Sequence, residues 1–456
     1  MKITVFGGSP KGETSVTMQY VQYLKKRFPQ HEFIILQAAQ PIQKLEKNEE
    51  AFGEMIHHVR SSDGVLWAFP LYVFLVCAQY KRFIELIHER GAQDAFRGKY
   101  AASLSTSIHF FDHTAHHYIR AVSEDLGMRY AGSHSAGMQD LLKNEGQEKL
   151  ILFAQSFFSS IERRLKIPRH YRPLNWTPLD YTPQYSERPR LSTDRKIVVV
   201  TDSVDGNIGK MIKKFVNRFK TAPELIDLGR LDMKGGCLGC LRCGYKNECV
   251  YTGKDEYIEM YKMKLKTADV LLYAGTVRDR YLSSRWKMFF DRAFFNTHQR
   301  SLEKKQFGFL ISGPLSQAAD LKEILSAFVE WQGSNLVDFV GDENTTSEQL
   351  DGEIEGLAER LTHCSELGYV SPVSFLGVGG MKIFRDDMRG GLKVVFRADH
   401  RTYRKTGVYD FPQKKIFSNL FSEILYILMS IPWMRKGMMR RMKEYMIMPY
   451  RRVLAD

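Results

Sequence analysis

Four of the six cysteines fall inside thirteen residues, where Cys237, Cys240, Cys243 and Cys249 spell C-x2-C-x2-C-x5-C. Four thiolates in so short a loop suit an iron–sulfur cube better than zinc, because structural zinc usually takes two ligand pairs separated by a longer arm. The spacing specifies one cluster, since no second set exists for a shared ligand to serve. Zinc, or cysteines kept without metal, stay open as alternatives. A second constellation lies at the N-terminus: Gly7-Gly8-Ser9-Pro10-Lys11-Gly12-Glu13-Thr14-Ser15-Val16-Thr17. Glycines turn backbone N–H groups toward an anion, Ser9, Ser15 and Thr17 add donors, and Lys11 adds charge. The plain alternative is a serine-capped helix after a tight turn.

The elements that must position these groups follow from hydrophobic periodicity. Residues 2–7 form a β-branched strand, 15–28 a helix, and the alternation continues with strands at 31–37, 63–69, 99–105 and 129–135. Helix-length segments separate them near 49–61, 79–90, 114–127 and 144–165. Five strands alternating with helices predict a parallel α/β sheet, with the glycine loop at its ligand rim. Five prolines between 168 and 189 read as a linker. Lys196–Val200 then restarts the alternation, through strands at 223–228, 268–275, 305–312 and 334–340 and helices at 206–219, 254–267, 282–296, 317–331 and 346–363. The expected organisation is a tandem: 1–165, a linker 166–194, a second α/β domain 195–368 carrying the cysteine loop, and a C-terminal extension 369–456.

Composition bounds the partners. Lys+Arg 66 against Asp+Glu 52 gives +14, and residues 381–456 alone hold 17 basic and 7 acidic residues, so the basicity is local. Phe411–Met434 is mostly apolar but carries Glu423 and Pro432 and is followed by Arg435, Lys436, Arg440, Arg441 and Lys443. That pattern fits an in-plane membrane helix better than a spanning one, a helix packed across the domains being the alternative. Nucleic acid is not expected, because no recognition motif accompanies the charge. Six cysteines are too few for a disulfide scaffold, and MKITVFGGSPKG lacks a signal peptide's apolar core. The expected location is cytoplasmic, with peripheral contact at the inner membrane face through 411–456.

The segment GGSPKGETSVT resembles the GSPR-x(n)-SNT loop of the NADPH-dependent FMN reductase and flavodoxin-like quinone reductase families, with Lys11 for arginine and Val16 for asparagine. The resemblance implies two flavodoxin-like doubly wound sheets and an FMN phosphate held by Ser9, Lys11, Ser15, Val16 and Thr17. Phe69-Pro70-Leu71-Tyr72-Val73-Phe74, followed by Gln79–Glu85, is similar to the family's P-x-Y loop and LK-x-FIDR helix. It implies that Pro70, Leu71, Tyr72, Val73 and Thr106 line the flavin ring; His109, in the loop after the fourth strand, is the one candidate proton donor. His113 and His117 in the same region share a helical spacing that a metal could use, although no carboxylate frame accompanies them in sequence.

The cysteine stretch, with the helix after it and Arg285-Trp286-Lys287-Met288-Phe289-Phe290-Asp291-Arg292, resembles the iron-sulfur flavoprotein family. That resemblance implies a [4Fe–4S] cluster exchanging electrons with FMN. The second domain's own first loop departs from the flavin pattern: Asp202 and Asp205 stand where a phosphate would sit, which opposes an anion. A second FMN there is left open. The expected activity is FMN-dependent oxidation of NAD(P)H, or of a ferredoxin-like donor, with relay through the cluster to a small-molecule or protein acceptor. A non-enzymatic electron carrier or redox sensor, a zinc-stabilised binding protein and homodimer formation all stay open.

Overall fold

The computed structural model describes residues 1–184, 186, 188–414 and 416–454. Strand β1 (Lys2–Gly7) buries both faces, as its run of Ile, Thr, Val and Phe requires of a central parallel strand. It is followed by α1 (Val16–Arg27), β2 (Glu32–Gln37), α2 (Ile42–Lys47), α3 (Glu49–Arg60), β3 (Gly64–Pro70), α4 (Ala78–Glu89), β4 (Tyr100–Ser107), α5 (Asp112–Asp125), β5 (Arg129–Gly137) and α6 (Asn144–Glu162). All pairings are parallel, in the order β2-β1-β3-β4-β5.

The second half repeats the plan: β6 (Ile197–Thr201), α7 (Gly206–Val216), β7 (Glu224–Asp227), the short α8 (Cys243–Lys246) and α9 (Tyr257–Met260), β8 (Val270–Thr276), α10 (Ser284–Arg292), β9 (Gln306–Ser312), α11 (Leu321–Trp331), β10 (Asn335–Gly341) and α12 (Ser347–Leu367). Its order, β7-β6-β8-β9-β10, is the first sheet's order renumbered. The protein is thus α/β with two flavodoxin-like five-stranded parallel sheets. One expected helix, 254–267, resolves into α9 and a π turn over Tyr261–Leu265.

Met1–His400 form one compact unit and Arg401–Asp456 another. Within the first unit the linker runs along the second domain: Tyr181 is fully buried and donates to Asp351 Oδ1 at 2.5 Å, while Lys210 and Lys214 donate to the Tyr181 and Gln184 carbonyls. The two domains meet through α4 and α10, the equivalent helices of the two repeats. Charged residues fill that seam. Lys81 Nζ, fully buried, donates to both Asp279 oxygens (3.0 and 2.9 Å) and to Glu85 (3.1 Å), and Glu85 accepts from Ser284 N at 2.6 Å. Asp291 accepts from Ala78 N at 2.7 Å across the same seam.

Past α12, helix α13 (Phe375–Arg389) packs on α11, and α14 (Arg397–Lys405) follows. The glycine-rich Gly377–Gly380 stretch lies inside α13. A Cβ on Gly380 would run into the Phe110 ring, so glycine is what lets α13 seat against the first domain. In the second unit α15 (Ile416–Met429) and α16 (Pro432–Arg440) meet at a bend of 109°, and no single helix among the described residues is long and apolar enough to cross a membrane.

Candidate functional site

The glycine loop follows β1 at the carboxyl rim, where the neighbours of β1 diverge in the sheet order. Ser9 is buried, and its Oγ accepts from Lys11 N at 3.2 Å. Gly12 has φ +59°, and a Cβ there would lie 2.5 Å from Gln40 Oε1. Ser15 caps α1 by accepting from Met18 N at 3.3 Å. Val16 is the first helical residue, so its N–H belongs to the set that a helix leaves without an internal partner. Thr17, the next residue, is buried, with its hydroxyl 2.6 Å from that of Thr106 at the end of β4. Lys11 makes no ion pair among the described residues. Beside Gly7, the buried Gln37 amide has no hydrogen-bond partner at either end among the described residues. Three buried hydroxyls, a helix N-terminus, an unpaired lysine and an unsatisfied amide fit a phosphorylated ligand.

The loop after β3 is held from both domains. Leu71 N donates to Thr106 O at 3.2 Å, and Tyr72 and Leu75 exchange backbone bonds of 2.8 and 2.9 Å around the positive-φ residues Val73 and Phe74. Lys287 of the second domain donates to the Tyr72 carbonyl at 2.9 Å. Pro70, Leu71, Tyr72 and Val73 are half-buried. Burial, then the nearby Cys237 and Cys77 sulfurs, push the Tyr72 phenol well above its ordinary range, so it stays a neutral donor.

The histidines divide by role. His109, at φ +61°, has a half-exposed imidazole hydrogen-bonded to Asp112 at 2.8 Å. Burial raises Asp112, but bonds to Ser135 and His109 outweigh it and hold its carboxyl below the usual range. His116 lies buried between Ser103 and Ser105 hydroxyls at 2.6 and 2.8 Å, and desolvation lowers it to about 4. His113 and His117 pair with Glu323 (2.9 Å) and Asp320 (2.7 Å) of the second domain, so the carboxylates missing from the local sequence arrive across the interface. Among the described residues no three His, Cys, Asp or Glu side chains converge on a single-ion site.

Cys237, Cys240, Cys243 and Cys249 line one cavity with apolar Leu238, Leu241, Val250, Phe294 and Phe295. A zinc tetrahedron with Zn–S bonds of about 2.3 Å would need sulfurs about 3.8 Å apart; a cube holds its thiolates farther out and needs a shared cavity. Arg292 also lines it, buried, bonded to Asp255 at 2.8 and 2.9 Å, with its centre 4.2 Å from the Tyr251 ring. Its buried Nε–H has no partner among the described residues. Four thiols, apolar walls and a cation with a spare N–H fit an anionic cluster. Burial raises the Cys243 thiol to about 12, so binding a metal must displace its proton.

The cysteine loop sits against the first domain's rim. Gln79 Nε2 donates to Cys237 O at 3.1 Å and Gln43 Nε2 to Lys234 O at 3.2 Å. Gly239, between Cys237 and Cys240 at φ +63°, lies so close to the first domain that a Cβ would run into Tyr72 Oη and fall 3.0 Å from Lys11 Cε. Neither this docking nor Arg292 is visible in the cysteine spacing; the arginine carries a signal only as the last residue of the helix after the third strand. The second domain's own rim is already occupied by itself. Asn207 Nδ2, Ser312 Oγ and Gly313 N all donate to the Asp342 carboxylate (2.9, 2.7 and 2.8 Å), and Asp202 bonds Ser283.

Residues 1–139 match the family model described as NADPH-dependent FMN reductase. No curated protein matches the chain. Solved structures similar to it include an apo NADH:FMN oxidoreductase (18% identity, 37% of this chain and 94% of that one, TM-score 0.30). The flavoenzyme NAD(P)H:(acceptor) oxidoreductase FerB of Paracoccus denitrificans is similar at 18% identity, over 36% of this chain and 97% of its own, with TM-score 0.28. An FMN-dependent NADH-azoreductase of Bacillus anthracis in complex with FMN is 14% identical, over 36% and 100%, with TM-score 0.26. Likenesses this distant add nothing to the reading of the site; the family match does, and it spans residues 1–139 of the 456-residue chain.

Proposed function

We propose that the chain is an FMN-dependent NAD(P)H oxidoreductase whose first domain holds the flavin and whose second domain holds a [4Fe–4S] cluster, wired to each other across the α4–α10 seam. The observation that carries this reading is Gly239, a residue of the cysteine loop in contact range of both Lys11 and Tyr72. Bound FMN would supply the junction between two-electron hydride chemistry and one-electron transfer, and the cluster the one-electron outlet toward a small-molecule or protein acceptor.

The chain's residues do the positioning. Ser9, Ser15, Thr17 and the first N–H groups of α1, starting with Val16, would hold the phosphate, with Lys11 balancing its charge. Pro70, Leu71, Tyr72, Val73 and Thr106 form the wall for the ring, and Lys287 fixes that wall from the second domain. His109, with Asp112 behind it, can hold a proton at the solvent edge of the same loop. Cys237, Cys240, Cys243 and Cys249 would ligate the cluster, with Arg292 neutralising part of its charge.

Purification without oxygen, with absorption spectrum and iron, sulfide, zinc and FMN contents, tests the assignment. The expected result is a flavin spectrum over a broad iron–sulfur shoulder, both bleached by NAD(P)H, with steady turnover on an artificial quinone. Ser9→Ala/Lys11→Ala should lose FMN and keep the fold, and Cys243→Ser should lose iron and keep FMN. Stoichiometric FMN in the double variant, or a colourless zinc protein, refutes it.

A further inference from the structure

The second unit carries a surface that the redox reading does not use. On α15, Ile416, Phe417, Leu420, Phe421, Ile424 and Ile427 recur at helical spacing and fill one arc, while Ser418, Asn419 and Ser422 fall on the other side and Glu423 borders the arc. All six apolar residues are solvent-exposed, from 51% at Ile424 to 89% at Phe417. Such an unpartnered apolar stripe needs an occupant. At 1.5 Å per residue, fourteen residues span about 21 Å, short of the roughly 30 Å hydrocarbon core. The 109° bend then turns the chain aside at Pro432.

The residues beyond the bend select the occupant. Arg435, Lys436, Arg440, Arg441 and Lys443 cluster within nine residues, against a single nearby acid, Glu444. Trp433, 74% exposed, sits between the apolar arc and the basic cluster, where an aromatic ring marks a membrane–water boundary. A second copy of this chain would bring two such basic clusters together, which like-charge repulsion opposes. Nucleic acid would satisfy the charges and leave the apolar arc bare.

We infer that residues 411–454 are an in-plane membrane anchor: α15 lies in the interface with its apolar arc in the acyl boundary, and the basic residues after it bind anionic headgroups. This places the enzyme peripherally on an anionic leaflet and does not depend on which cofactors the body holds.

The test is co-sedimentation of the full chain with phosphatidylcholine vesicles, with and without roughly a third phosphatidylserine. Binding is expected to the anionic vesicles, with at least about a tenfold preference over neutral ones, weakening as salt rises from about 0.1 M to about 0.5 M. Phe417→Ser/Phe421→Ser should abolish it. Replacing Arg435, Lys436, Arg440 and Arg441 by glutamine should weaken it by roughly 600-fold, since each basic residue near the surface contributes about fivefold. Absence of vesicle binding overturns the inference, as does equal binding to neutral vesicles. So does a dimer that the phenylalanine variant converts to monomer without vesicle binding. FMN content equal to wild type in each variant shows that the body is intact, so that failure here and failure of the redox assignment are read separately.

Discussion

Replacing Lys81 by methionine tests the claim that the two domains act as one machine. The ammonium is fully buried in the seam between α4 and α10 and makes three bonds, two to Asp279 and one to Glu85. Burial alone would lower its pKa; Asp279 and then Glu85 outweigh that and hold it above the ordinary lysine value. Methionine keeps the volume and removes the charge. Glu85 would retain Arg82 at 3.2 Å, but Asp279 would keep only the neutral donors Tyr118 Oη and Tyr281 N, each at 2.9 Å. A buried carboxylate stripped of its cation costs about 3–5 kcal/mol. Lys81→Met should therefore lose about that much in urea unfolding followed by tryptophan fluorescence, and Lys81→Met/Asp279→Asn should recover most of it. Because the folded pKa is raised, the contribution of Lys81 is complete below its unfolded pKa and is lost only as pH rises through the higher folded value. The difference should be the same at pH 6 and pH 9. A loss below about 1 kcal/mol, or no rescue by the second substitution, refutes the reasoning, because either would mean that Asp279 finds water or neutralises without Lys81.

The same geometry fixes three further outcomes. His116 is neutral and buried with its pKa lowered to about 4, so below the unfolded value near 6.5 the unfolded chain binds the extra proton and stability falls, by roughly 3 kcal/mol between pH 6.5 and pH 4. His117, raised chiefly by its bond to Asp320, acts in the opposite sense, so the measurement is the difference between wild type and His116→Asn; parallel stability profiles would contradict it. Gly239→Ala puts a side chain at φ +63° and against Tyr72, costing about 1–2 kcal/mol in the loop. FMN content should hold while cluster reduction by NAD(P)H slows in stopped flow; an unchanged rate counts against the docking. Asp399→Ala removes the buried acceptor of His298 N, His298 Nδ1 and Thr297 Oγ1. It should cost about 2 kcal/mol and, on the proposed function, speed iron loss to a chelator, because Val395 and Phe396 just before it cover Gly244 beside Cys243; chelation at the wild-type rate would show that this cover is idle.

Much of this architecture is legible in the residues because parallel strands are buried on both faces. Runs such as Ile3–Phe6 and Val198–Val200 stand out against their surroundings whatever packs on them. The glycine loop is legible as a turn into α1, because a tight turn before a helix needs glycine and hydroxyl residues at fixed positions. The seam is not. Lys81 and Glu85 look like ordinary solvated charges on an amphipathic helix and Asp279 like a loop acid, and only their partners about two hundred residues away bury them. His113 and His117 mislead in the same way, since the carboxylates that explain them belong to α11 and the residue before it. The glycines of α13 suggest a flexible stretch because glycine is a poor helix former; the Phe110 ring they accommodate lies in the other domain.

The two rims show why a duplicated sheet can carry two different sites. In the first domain the donors at the carboxyl rim stay available: Lys11 has no ion pair among the described residues and the Gln37 amide is unsatisfied. In the second, Asp342 already takes Asn207, Ser312 and Gly313, a built-in anion where an external one would bind, and Asp202 adds another negative charge. Two identical subunits would have to keep both rims alike. Joined in one chain, the second rim is free to close on its own carboxylate while the loop after β7 reaches across the seam to the first. The consequence is that the cysteine loop and the glycine loop lie side by side at one rim. Three of the contacts that join them, Gln79 to Cys237, Lys287 to Tyr72 and Ala78 to Asp291, are made by α4, α10 or the loop leading into α4, the elements that also form the seam, and Gln43 of α2 adds a fourth at Lys234. Stability of the domain pair and spacing of the two rims therefore share residues, so a change that loosens the seam must also shift the cysteine loop against the first domain's rim.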